Sequence, residues 1–208
     1  MIQPIVEGHG EVDAVPVLLR RLRDKAGCFD LQVGVPIRRS RAQLVREETL
    51  RQAVELARGQ SNCSSILILL DGDDDCPRKL APQLDAWARA AAGGIPFAVV
   101  LAHREYEAWF LAAVESLRGR RGIRVDASHP DDPEFARGAR EALEDLMIAG
   151  NSYHTTADQP ALTAMFDMGA AYRRSRSFRR VVSAFGTLAR ADGIELGVWP
   201  PAEWLLQP

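Results

Sequence analysis

The sequence predicts an α/β fold in which a mainly parallel sheet of four strands lies between two layers of helices. Two observations carry this. Along the first half of the 208 residues, short uncharged apolar runs alternate with stretches of helical period, the pattern of β–α–β units whose strands are covered on both faces. Three of the four runs also stop abruptly at acids. Ile66 to Leu70 runs into Asp71-Gly72-Asp73-Asp74-Asp75, Val6 into Glu7-Gly8-His9-Gly10-Glu11, and Leu101 into Ala102-His103-Arg104-Glu105-Tyr106-Glu107. Open α/β sheets carry their chemistry at the carboxyl ends of strands, so these three segments are where a site is expected.

Ile2 to Val6 reads as the first strand. A helix follows from about Val12 to Ala26, with Val15, Leu18, Leu19 and Leu22 at helical spacing, Asp13 as its cap and Gly27 past its end. Leu31 to Ile37 is the second strand and Gln43 to Arg58 an amphipathic helix closed by Gly59. The third strand leads through the acids to a helix over Pro77 to Ala92, with Asp74 or Asp75 available to cap it. Ile95 to Leu101 is the fourth strand, and a helix carrying Ala108, Trp109, Leu111 and Leu117 follows.

Beyond Arg118 the composition shifts to a basic stretch and then to the proline-punctuated segment Asp126 to Pro133. The expected division is a core over 1–118 and a helical C-terminal appendage over 119–208 packed on it. Helices are expected over Glu134 to Ile148, Pro160 to Ser175 and Ser177 to Arg190, with a polar loop from Gly150 to Gln159.

Composition narrows the function classes. No apolar stretch approaches the roughly 20 residues of a membrane span, and the chain opens directly into a strand with no basic leader. Cys28, Cys63 and Cys76 are widely spaced and form no zinc-type pair, which fits a reduced, cytoplasmic setting. The formal net charge is −2, yet arginines cluster at Arg38, Arg39, Arg41 and Arg46, at Arg118 to Arg124, and at Arg173, Arg174, Arg176, Arg179 and Arg180, while Lys25 and Lys79 are the only lysines. Arginine's planar fork suits phosphate, although a solvated helix face gives the same pattern.

Carboxylates crowded at one strand end repel by roughly 4 kcal/mol per pair about 4 Å apart at an effective dielectric near 20. A hard divalent cation offsets that repulsion: Mg²⁺ takes oxygen ligands, commonly one or two carboxylates with waters and substrate phosphates. Asp71 and Asp73 can share a metal if the strand geometry continues through them. Glu11 reads either as a ligand or as a first-turn acid complementing the helix dipole. Glu105 is preferred over Glu107 as a ligand, because Glu107 can instead bond backbone at a helix start.

Glu7-Gly8 after the first strand, Asp71-Gly72-Asp73 after a later one and His103-Arg104-Glu105 after the fourth together resemble the Toprim fold of topoisomerases, bacterial primases, recombination mediators and OLD-type nucleases. The resemblance covers about the first half of the chain and leans toward the OLD-type nucleases, because Glu11 lies four residues after Glu7 and an x-Glu pair follows the fourth strand. It implies that Glu7, Glu11, Asp71 and Asp73 hold one Mg²⁺ (or Mn²⁺) and that Asp71 with Glu105 holds a second, with Glu7, Asp71, Asp73 and Glu105 as the catalytic set. The chain departs from those nucleases in carrying His103 where they have a serine, and in lacking their late lysine, for which His154 or one of Arg173, Arg174 and Arg176 could substitute. The whole pattern is also similar to an uncharacterised family of small bacterial Toprim-like proteins, often encoded beside an ATPase of phage-defence type.

The expected function is therefore a Mg²⁺-dependent endonuclease that cleaves DNA by two-metal chemistry, cytoplasmic, with no membrane association and with an ATPase partner. His9, His103, His154, Arg173, Arg174 and Arg176 are the candidate nucleic-acid contacts, and the oligomeric state is open. Cleavage of structured RNA, or a non-catalytic adaptor serving an ATPase, are the alternatives.

Overall fold

The computed structural model describes residues 1–135 and 137–206. It is an α/β sandwich built on a four-stranded, all-parallel sheet. The strands β1 (Ile2–Val6), β2 (Ile37–Arg38), β3 (Ser65–Asp71) and β4 (Phe97–Ala102) lie in the order β2-β1-β3-β4. The helices are α1 (His9–Ala26), α2 (Arg41–Leu44), α3 (Glu47–Arg58), α4 (Pro77–Ala92), α5 (Ala108–Ala112), α6 (Ala139–Asp145), α7 (Thr155–Met165), α8 (Met168–Arg174), α9 (Arg176–Ala191) and α10 (Ala202–Leu205). Among the described residues no helix is long and apolar enough to cross a membrane.

The period-2 alternation of β3 divides the interior in two. Leu67 and Leu69 join Ile2 and Val6 of β1 under Val15, Leu18 and Leu19 of α1 and Val181, Val182 and Phe185 of α9. Ile66, Ile68 and Leu70 join Ile5 under Leu50, Ala53 and Val54 of α3 and Leu84 and Ala88 of α4. The continuous apolar run of β3 is thus two interleaved half-faces, each buried by its own helical layer.

The second half supplies much of one layer. α9 packs across β3 and β4, and α7 lies along α1. Edge-to-face aromatic pairs lock the halves together: Trp109 with Phe178 at 5.4 Å between ring centroids and Phe110 with Phe166 at 5.7 Å. Trp109 Nε1 also donates to Ser177 Oγ at 2.8 Å. Residues before and after 118 share one continuous apolar cluster.

Several boundaries differ from the sequence reading, each for a local reason. The strand expected over Leu31 to Ile37 shrinks to Ile37–Arg38 plus a lone bridge between Val33 and Ile2. Ile2, Pro4 and Val6 turn their main chain toward this side, and Pro4 has no N–H to give. The Gln3 side-chain amide fills the gap, donating to Val35 O at 2.6 Å. The helix expected from Val12 begins at His9 with Gly8 as its cap, so Asp13 lies exposed inside it. The helix expected over Gln43 to Arg58 is split into α2 and α3 around Val45 and Arg46, and that over Pro160 to Ser175 into α7 and α8 around Phe166 and Asp167. The loop expected to last to Gln159 is already helix at Thr155.

The helix expected from Glu134 begins only at Ala139, because Glu134 is buried at the start of α9. Its carboxylate accepts from Ser177 N at 2.7 Å, Arg176 N at 3.0 Å and the hydroxyls of Ser175 and Ser177 at 2.7 and 2.6 Å.

Candidate active site

In the strand order β2-β1-β3-β4 the chain runs from β1 outward to β2 and then returns to β3, with α1 on one face and α3 and α4 on the other. The reversal lies between β1 and β3. A crevice opens at such a switch point outside the carboxyl ends of the strands, and the residues that end those two strands are Val6-Glu7 and Asp71.

Four carboxylates gather there: Glu7, Glu11, Asp71 and Glu107. Glu11, in the first turn of α1, is buried and its Oε2 accepts from the main-chain N–H of Glu7 at 2.8 Å and of Gly8 at 2.9 Å, folding the turn that carries Glu7 back over the helix start. Asp71 Oδ1 accepts the N–H of Tyr106 at 2.9 Å. Glu107, buried at the start of α5, accepts from Tyr153 Oη at 2.9 Å and from Gln159 Nε2 at 3.4 Å. Glu7 Oε2 is buried with no hydrogen-bond partner.

Burial raises the pKa of all four, and neighbouring carboxylates raise those of Asp71 and Glu11 further. For Asp71, pushed well above its ordinary value, burial acts first and the charges of Glu11, Glu107 and Glu7 add to it. Glu11 is pushed up to about 7, chiefly by burial, against the two main-chain N–H groups that favour its anion. Glu107 is raised by burial, with the Tyr153 hydroxyl pulling the other way. Glu7 is raised by burial, with Arg41 opposing and Asp73 adding to the rise.

Arg41 is the cation beside this cluster. Its guanidinium bonds the carbonyl oxygens of Asp71 and of Gly72 (3.2 Å), and pairs with Asp73 at 3.0 Å, Asp75 at 2.5 Å and Glu7 at 3.7 Å. It thereby holds the loop after β3 against the turn after β1. Among the described residues no group of three or more His, Cys, Asp or Glu side chains stands close enough together to hold a metal ion. In donor chemistry the cluster suits a hard cation, being all oxygen, and Glu7 Oε2, which faces Arg41 at 3.7 Å, makes no hydrogen bond.

Of the acids expected from sequence, the fold brings Glu7, Glu11 and Asp71 together and leaves Asp73 and Glu105 at the margin. Asp73 takes a positive φ of 44°, which ends the strand geometry, and its carboxylate pairs with Arg41. Glu105 accepts the main-chain N–H of Arg140 at 2.9 Å, and Glu107 lies inward in its place. The signal for Glu107 was its place before Ala108-Trp109: a residue leading directly into a fully buried helix is carried inward with it. Arg41 was one member of an arginine cluster, and its role depends on a three-strand juxtaposition that spacing does not reveal.

The nucleic-acid candidates scatter. His103 borders a groove of about 400 Å³ shared with Arg104, Arg174, Arg176 and Arg179. Within it Arg174 is tied to Glu115 at 2.7 Å and to Ala112 O at 2.9 Å. Arg173 lies beside Lys25, Trp204 and Glu203, at the far end of α1 from Glu11. His9 and His154 are exposed, one opening α1 and the other preceding α7.

No curated protein and no solved structure matches the chain. One family does, described as "Domain of unknown function (DUF4276)", over residues 6–185. That span reaches from the last residue of β1, through every carboxylate of the cluster, to Phe185 of α9, and the chain belongs to the DUF4276 family.

Proposed function

We propose that the chain is a Mg²⁺-dependent endonuclease, hydrolysing phosphodiester bonds of nucleic acid at the Glu7–Glu11–Asp71–Glu107 cluster, with DNA as its substrate and a separate ATPase as its controlling partner. One observation carries the reading: four carboxylates from three segments meet at the sheet's switch point, Glu11 and Glu107 buried and Glu7 and Asp71 partly so, where burial raises the pKa of all four and the charges of Glu11, Glu107 and Glu7 raise that of Asp71 further. A fold does not retain such repulsion for stability's sake, since each uncompensated buried charge is costly.

Glu7, Asp71 and Glu107 are the residues that would hold Mg²⁺ or Mn²⁺, with Glu11 behind Glu7 and Asp73 at the rim. The metal there would supply Lewis acidity toward the phosphate and an acidified water as nucleophile. The chain's own residues set the geometry. Glu11 orients the Glu7-Gly8 turn through two N–H bonds, Tyr106 fixes Asp71, and Tyr153 with Gln159 fixes Glu107. Arg41 keeps the loop after β3 in register with Glu7. The shared acids of the Toprim resemblance, Glu7, Asp71 and Asp73, support the same reading.

Purified protein incubated with supercoiled plasmid and with structured RNA, in Mg²⁺, Mn²⁺ or EDTA, tests it. Metal-dependent nicking of plasmid that disappears in Asp71→Asn is the expected result. Metal-dependent cleavage of RNA alone would move the substrate to RNA, and an Asp71→Asn protein as active as the native one would remove the site.

A further inference from the structure

The sheet order places arginine on both flanks of the carboxylates. β2, on the outer side of β1, ends at Arg38, which lies in register with Val6, and the next residue, Arg39, donates its N–H to Val6 O at 3.0 Å. β4, on the outer side of β3, ends in register with Asp71 at Ala102 and continues into His103-Arg104. The carboxyl edge therefore reads, from one side to the other, Arg38-Arg39, Glu7, Asp71, His103-Arg104. At about 4.8 Å between strands this row spans about 14 Å, the reach of a few nucleotides.

The flanking arginines are under-used by the protein. The Nε atoms of Arg38 and Arg104 and Nδ1 of His103 are buried without a hydrogen-bond partner among the described residues. Arg104 pairs through Nη1 with the exposed Asp74, which Arg137 shares, both at 3.0 Å, and an exposed pair of that kind yields readily to a phosphate. Arg39 spends one Nη1 bond on Arg38 O at 2.9 Å. Arg41, by contrast, is fully occupied in holding the acids. Beyond Arg104 the row continues into the groove lined by Arg176 and Arg179, which also holds the opposing charges of Asp131 and Asp132.

We propose that a nucleic-acid strand crosses the sheet's carboxyl edge at right angles to the strands, with Arg38 and Arg39 on the phosphate at one side of the cleaved bond and Arg104 on the phosphate at the other. The proposal rests on the phosphodiester reading of the carboxylate site. It adds the direction in which the strand lies and the residues that hold it.

The test measures binding and cleavage separately. Binding of a short labelled single strand to the Asp71→Asn protein is followed from about 50 to 200 mM salt, and each lost phosphate contact lowers the log–log slope by about 0.7. Adding Arg39→Gln and Arg104→Gln together is expected to lower the slope by about 1.4, whereas Lys25→Gln, at the opposite end of α1, is expected to leave it unchanged. Because Arg38 is half-buried it is left native, and thermal melts confirm that each variant is folded. A slope unchanged by the double substitution, or a folded protein that binds no strand, overturns the proposal. Hydrolysis of bis(p-nitrophenyl) phosphate by the native chain with Mg²⁺ or Mn²⁺, lost in Asp71→Asn, reads the carboxylate site independently. Its presence beside an unchanged slope would leave the site standing without these arginines.

Discussion

The main-chain N–H of Tyr106, four residues past the end of β4, donates to Asp71 Oδ1 at the end of β3, at 2.9 Å. A main-chain donor can be matched by an amide oxygen as well as by a carboxylate. Asp71→Asn therefore keeps this bond while removing a charge that burial and the facing Glu11, Glu107 and Glu7 all disfavour. In EDTA the variant is expected to melt higher than the native protein, by about 2–4 °C for each kcal/mol of repulsion relieved, while metal-dependent cleavage falls at least about 100-fold. A lower melting temperature in EDTA would show that the charge of Asp71 is not the cost argued here.

Stability without metal should fall as pH rises through the range set by Glu11. Its carboxyl has an ordinary value of 4.5 and is pushed up to about 7 in the fold. Between those values the folded state keeps a proton that the unfolded state has released, so the slope of unfolding free energy against pH is negative there and flattens above about 7. Asp71, Glu107 and Glu7 are raised too and act in the same sense. Denaturant midpoints in EDTA from about pH 4.5 to 8 check this, and Glu11→Gln is expected to shallow the decline. Mg²⁺ affinity should run the other way, rising over the same range as the carboxylates lose their protons.

Tyr153→Phe removes the hydroxyl that donates to Glu107, leaving only the longer contact from Gln159. Loss of one partner from a buried carboxylate costs about 1–3 kcal/mol. Tyr153 is also the group that most restrains the rise of Glu107. The acidic limb of the pH–rate profile should therefore move upward along with a fall in melting temperature. A profile that stays in place would separate Glu107 from the reaction.

Arg41→Gln removes the cation that most strongly opposes the rise in Glu7. The expected result is an acidic limb displaced upward, because the opposing Arg41 charge is gone. Looser Asp73 and Asp75 should appear as faster proteolysis within 71–75, and unchanged digestion there would argue against Arg41 as the tie between the two loops.

Gly10→Ala places a methyl group 2.6 Å from Thr155 O and against the Gln159 amide, where main chain cannot give way. Such overpacking costs about 1–3 kcal/mol. A melting temperature within a degree of the native value would show that α7 moves aside freely.

Much of the fold was legible because β3 and β4 announce themselves by short apolar runs, and because Gly27 and Gly93 stop α1 and α4 in the left-handed backbone that only glycine adopts freely. β2 was not, since its pairing depends on the missing donor of Pro4 and on a Gln3 side chain acting as main chain. At the site, Glu7, Glu11 and Asp71 were readable from strand ends. Asp73 was misplaced by assuming that strand alternation continued through a residue whose φ is 44°. Glu107 and Arg41 depend on contacts from distant segments, with Tyr153 and Gln159 on one and with the ends of β1 and β3 on the other. No local pattern encodes those.

The partners of Glu107 also impose an order during synthesis. Tyr153 and Gln159 are translated well after the last strand, and α7 seats on α1 at Gly10, in the same first turn as Glu11. A nascent chain paused before residue 150 already carries every acid of the cluster but lacks the groups that fix Glu107, and on the proposed function it would not yet cleave nucleic acid. Ribosome-bound chains arrested before and after α7 should differ in metal-dependent cleavage, with activity arriving only in the longer ones.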